Sequence, residues 1–158
     1  MTEFGYALSS EEHGGSDLAA LAAEAERRGF DFAPISDHYH PWIRQQGEAP
    51  YVWSSLGAVS ETTDDLEVGT GVTAPINRQH PANLAQATAT TASMLDGRFF
   101  FGVGTGERLN EHVTGEKWPP HHVRLEMLEE AVEIIRTLWS GEMVSHDGEH
   151  FTVENAQL

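Results

Sequence analysis

The chain has 158 residues, no cysteine, and 25 Asp and Glu against nine Lys and Arg, for a formal net charge of −16. Without cysteine there is no disulfide, thiolate metal site or thiol nucleophile, and without a basic face nucleic-acid and anionic-membrane binding drop out. The length suits one domain and falls short of the roughly 250 residues of a complete eight-stranded α/β barrel.

A hydrophobic content of 39% argues against disorder. The acid excess, with Lys117 as the single lysine, reads as a soluble protein adapted to concentrated salt, where acidic self-repulsion is screened. The N-terminus lacks a basic-then-apolar signal and no apolar run reaches membrane-spanning length, so the expected location is cytoplasmic.

In chain order, Phe4 to Ser9 reads as a first strand. Ser16 is a candidate N-cap for a helix that buries Leu18, Leu21, Ala22 and Ala25 and ends at Gly29. Phe30 to Ser36 is the second strand, Val52 to Thr63 a helix, and Leu66 to Thr73 the third strand. His80 to Leu95 is an alanine-rich helix with Pro81 in its first turn, stopped by Gly97. Arg98 to Val103 is the fourth strand. Leu125, Leu128, Val132, Ile135 and Trp139 recur at helical spacing over Arg124 to Trp139. Met143 to Val153 reads as a hairpin about a two-residue Asp147-Gly148 turn. Four alternations of strand and helix imply parallel strands joined by right-handed crossovers, that is, half of an α/β barrel plus a hairpin.

Three strand ends carry the chemistry. Ser36-Asp37-His38-Tyr39-His40-Pro41-Trp42 delivers an acid, two imidazoles and an indole to the C-terminal end of the second strand, where such barrels hold catalytic groups. A capped turn with loop-filling aromatics would explain the same residues, and His38-x-His40 has the spacing of a zinc pair, though the later histidines, His121-His122 and His146, fall in a loop and a hairpin. Gly69-Thr70-Gly71-Val72-Thr73-Ala74-Pro75 ends the third strand, its glycines suggesting a bulge or a ligand close to the backbone, or small residues packed beneath a helix. Gly102-Val103-Gly104-Thr105-Gly106-Glu107-Arg108-Leu109-Asn110-Glu111 follows the fourth strand. It fails as a dinucleotide fingerprint because Glu107 occupies the third glycine position, and Glu107 and Glu111 could simply be solvated. A histidine and a carboxyl on one rim suit acid–base chemistry beside a hydride carrier, without naming the carrier.

Together with Gly97-Arg98-Phe99-Phe100-Phe101 and Leu138-Trp139-Ser140-Gly141-Glu142, these stretches resemble the luciferase-like superfamily of TIM barrels, in order and over nearly the whole chain. The resemblance is to its coenzyme F420-dependent oxidoreductases, the branch of glucose-6-phosphate and secondary alcohol dehydrogenases. It implies hydride transfer between an alcohol or sugar CH–OH and the deazaflavin. In that reading His38 is the base, Glu107 the acid near the cofactor ring, and Trp42 the pocket wall that helps hold developing charge. Asp37, Thr105 and Gly106 contact the cofactor, Gly71-Val72 forms the family's non-prolyl cis peptide behind the ring, and Glu11 lies near substrate. No metal is implied. The family's second half supplies strands five to eight and the cations that grip phosphate. The implied partner is therefore a C-terminal half of the barrel or a second copy in a homodimer. A flavin (FMN)-dependent luciferase-like monooxygenase is the alternative enzyme, and a truncated remnant or interaction subunit the alternative outside enzymology.

Overall fold

A computed structural model describes residues 2–158. The chain divides into two compact units: Met1–Thr73 with Thr90–Val103, and Ala74–Ala89 with Gly104–Leu158.

The first unit is built on a parallel sheet of order β1 (Phe32–Ile35), β2 (Glu67–Thr73) and β3 (Phe99–Val103). The expected first strand is reduced to two parallel bridges on β1, Gly5 with Phe32 and Leu8 with Ile35. Its backbone pairing is carried by Tyr6 and Leu8 donating to Phe32 and Pro34 carbonyls. Gly69 is where the strands draw closest, since a Cβ there would lie 1.8 Å from the Phe100 carbonyl oxygen. The glycines of β2 thus serve strand pairing, and the register shift between Thr70 and Thr73 is the bulge their spacing suggested.

Helices α1 (Gly15–Arg27) and α2 (Val52–Ser60) pack on each other and bury Leu18, Ala22, Ala25, Leu56 and Val59, while the sheet buries Ala33, Ile35 and Val68. The expected N-cap of α1 is corrected: Gly14 holds that position without a side-chain bond, and Ser16 lies inside the first turn. Gly29 ends the element at φ +82°, a conformation costly for other residues. From the other end of the unit, Glu26 of α1 accepts N–H groups of Asp64, Asp65 and Leu66, and Arg98 binds the carbonyls of Thr63 and Leu66. These side chains satisfy the backbone that leads into β2.

Helix α3 (Pro81–Met94) starts at Pro81 as expected, and the His80 imidazole accepts the Ala82 N–H. In the second unit, α4 (Arg108–Glu111) runs into a 3-10 turn (His112–Thr114), an element that the periodicity did not show. Helix α5 (His121–Leu138) starts earlier than expected and buries Ala131, Ile134, Ile135 and Leu138. Leu125 and Trp139, assigned to the buried stripe by sequence, are exposed, and the Trp139 indole N–H donates to the Ala85 carbonyl and Thr88 hydroxyl. The tighter i, i+3, i+4, i+7 set faces inward, and the indole uses its polar edge on a neighbouring helix instead.

Strands β4 (Val144–Asp147) and β5 (Thr152–Ala156) form the hairpin, but Asp147 pairs with Thr152 across a four-residue loop, not the two-residue turn expected. The reason is Glu130 of α5. Its carboxylate accepts the His150 and Phe151 N–H groups and lies 3.1 Å from His146 Nε2, holding the loop open around itself. A Cβ on Gly148 would lie 2.0 Å from that carboxylate. Among the described residues no helix is long and apolar enough to cross a membrane.

Candidate active site

The first unit brings together most of the sequence-predicted site. Strand β1 ends at Ile35, and the next residues place Asp37 and His38 at its C-terminal end. Asp37 is buried and accepts the hydroxyl of buried Thr73, the last residue of β2. That bond joins the ends of two strands on either side of the Gly71–Val72 peptide, which is cis, as the resemblance implied. Gly71 packs against Pro34 at the distance a Cβ would leave at 3.0 Å, and the Val72 side chain stays largely exposed.

His38 is the centre of the cluster. Its Nδ1 lies 2.6 Å from Glu11 Oε1, and the two side chains are 14% and 5% exposed. The nitrogen is not squarely aimed at the oxygen, so the contact is a close polar approach more than an aligned hydrogen bond. Glu11 is fixed in turn by the Ser9 hydroxyl at 3.3 Å on its second oxygen, and its backbone carbonyl accepts Glu48 N–H. Ser10 ties the same segment to the Ser36 carbonyl. Trp42 stands edge-on to the His38 ring at 4.8 Å between centroids, with about half its surface exposed. His40 instead packs on Tyr39. Glu11 therefore addresses the imidazole directly, a contact that its place before α1 did not disclose.

The second unit holds Thr105, Gly106 and Glu107, each half-buried. Glu107 caps α4, where the Asn110 amide donates to its carboxylate and the Asn110 and Glu111 N–H groups donate to its carbonyl. Gly106 adopts φ +64°, and a Cβ on it would stand 2.8 Å from Ala74 Cβ and 3.0 Å from Glu111 Cγ. Only glycine lets the loop lie this low.

Glu111 overturns the solvated reading. It is 1% exposed and receives the Arg78 backbone N–H at 2.9 Å and its Nε at 3.5 Å. The buried Arg78–Glu111 pair thus fastens the segment after β2 to the Gly104–Glu107 loop within the second unit. Arg78, Asn110 and Glu111 are the supporting residues that sequence reading missed. Asn110 and Glu111 stood inside a motif already singled out, whereas nothing local marked Arg78.

The model of the family described as luciferase-like monooxygenase matches residues 1–158. An F420-dependent glucose-6-phosphate dehydrogenase of Nakamurella multipartita is 46% identical over 155 residues, covering 98% of this chain and 46% of that protein. A protein so named from Segniliparus rotundus is 43% identical, covering 99% and 47%. The solved structure of an F420-dependent secondary alcohol dehydrogenase in complex with an F420-acetone adduct is 39% identical, with a TM-score of 0.94 over 99% of this chain and 48% of that one. The chain spans about half the length of the curated relatives it matches, and its parallel strands and helices correspond to part of their α/β barrel. By sequence and by fold, the chain belongs to the luciferase-like monooxygenase family.

Proposed function

We propose that this chain is part of a coenzyme F420-dependent oxidoreductase that acts on the CH–OH group of an alcohol or sugar. The observation that carries the reading is the buried Glu11 carboxylate against His38 at the end of β1, in a chain 46% and 39% identical to F420-dependent dehydrogenases.

The residues fit a flat redox cofactor. Val72 offers an apolar surface at the end of β2, and Asp37 is oriented by Thr73. In the second unit the backbone at Thr105 and Gly106 is uncovered by any Cβ at 106. When bound, the deazaflavin supplies the hydride acceptor. The chain's own work is proton handling and placement. As the carbon gives up its hydride and the C–O bond becomes a carbonyl, the hydroxyl proton passes to His38, and the Glu11 carboxylate compensates the charge the imidazole gains. Trp42 holds the ring edge-on and walls the pocket. Glu107, kept in place by Asn110, would be the acid that serves the cofactor.

The partner for closure is either a second copy or the half of the relatives' length that this chain does not span. We place the protein in the cytoplasm and infer, from its −16 charge, that it needs salt to fold fully. Circular dichroism in dilute buffer should show partial unfolding reversed by molar KCl, and indifference to salt would reject that inference.

The decisive measurement is titration of F420 into the chain in molar salt, followed by its fluorescence, with glucose-6-phosphate and isopropanol as donors. His38→Ala should lower donor-dependent reduction by about 100-fold or more while F420 still binds. Absence of saturable F420 binding by the parent chain, or undiminished turnover in the variant, would overturn the proposal.

A further inference from the structure

With 25 carboxylates for nine Lys and Arg, an acid should stand beside almost every cation. Arg27 and Arg28 pair with Glu24, and Arg78 pairs with Glu111. The other six, Arg108 and Lys117 among them, make no ion pair with a described carboxylate, and these two are set apart by where they lie. Both line one open depression of about 530 Å³ in the second unit, together with His112, Trp118, Gly115 and a single acid, Glu116.

The local backbone explains why these groups converge. His112 follows Arg108 by one turn, and its Nδ1 lies 2.9 Å from the Arg108 carbonyl, which can only accept, so Nδ1 carries the proton and the ring is held above Arg108. Gly115 then reverses the chain at φ +82°, a turn that returns Lys117 to the same depression. Trp118 is pinned as a wall by the Arg124 guanidinium, 4.4 Å over its ring, while Arg124 is anchored on the Pro119 carbonyl. A concave surface with two permanent positive charges and an imidazole concentrates positive potential, and a guanidinium fork matches an oxyanion's geometry.

We propose that Arg108, His112 and Lys117 form an anion-binding site against Trp118 that takes a phosphate group carrying at least two negative charges. The site stands apart from the redox reading and does not depend on it.

The test is titration of the 158-residue protein with pyrophosphate, and separately with citrate, at constant ionic strength, following the His112 ring and Lys117 signals by NMR. Pyrophosphate should shift both saturably. The doubly substituted Arg108→Gln, Lys117→Gln protein, whose changes lie on exposed side chains, should keep its circular dichroism spectrum and bind at least tenfold more weakly. No saturable shift, or equal affinity in the substituted protein, would overturn the site. Tighter binding of citrate than of pyrophosphate would overturn its assignment to phosphate in favour of a carboxylate-rich ligand.

Discussion

Each unit buries one carboxylate against a nitrogen-bearing side chain, and the two pairs are built for different ends. In the second unit, Glu111 meets Arg78, whose charge is permanent, and also takes the Arg78 backbone N–H. In the first, Glu11 meets His38, whose imidazole is not a permanent charge, and the contact is close but imperfectly aimed. An ion pair that cannot discharge serves as a fastening. A pair whose cation can discharge is suited to moving a proton. The difference follows from the partner's chemistry, since both carboxylates are almost fully buried.

The largest expected effect tests the fastening. Glu111→Ala takes a buried carboxylate away from the buried Arg78 guanidinium, a loss of about 3–5 kcal/mol in urea unfolding. A loss below about 1 kcal/mol would show that the pair is solvated and the contrast mistaken. Glu11→Ala should cost less, about 1–2 kcal/mol, because an imidazole, unlike a guanidinium, is not a permanent charge. Equal losses at the two positions would erase the distinction between fastening and proton site.

A third carboxylate sharpens the contrast with a pH profile. Burial pushes the Glu130 carboxyl up, but the His146 contact and the Phe151 and His150 N–H groups outweigh it, so the group is held below the usual carboxylate range. A lowered value in the folded state gives stability that is complete above the unfolded carboxyl's range and is lost as pH falls through the folded one. Glu130→Gln should therefore cost about 1 kcal/mol near neutral pH and flatten the decline in stability below about pH 4. Its effect is the smallest of the three, because the group is only partly withdrawn from water and its backbone partners can turn to solvent.

Much of the site was readable before folding because strand ends announce themselves. Asp37, His38 and Trp42 follow an apolar run directly, and Gly106 and Glu107 follow β3. Their supports were hidden because they come from distant segments. Arg78 reaches Glu111 across 33 positions, and Thr73 reaches Asp37 across 36. Helix boundaries moved for a related reason. The buried face of α5 is chosen by what packs on it in the second unit, and Leu125 and Trp139 lost their places to Ala131 and Ile134. The hairpin loop was misjudged because Asp-Gly favours a tight turn locally, whereas Glu130 offers three polar contacts that stabilise a wider one.

By itself the sequence determined the alternation of strands and helices, the acid excess, the glycine positions and the candidate site residues. Periodicity, charge and backbone freedom are local properties, legible along the chain. Only the tertiary structure decided that Glu11 addresses His38, that Glu111 is buried against Arg78, and that Arg108 and Lys117 share one depression. Those outcomes depend on which segments meet, and an electrostatic pairing acquires its strength from burial and distance, which exist only once the chain has folded.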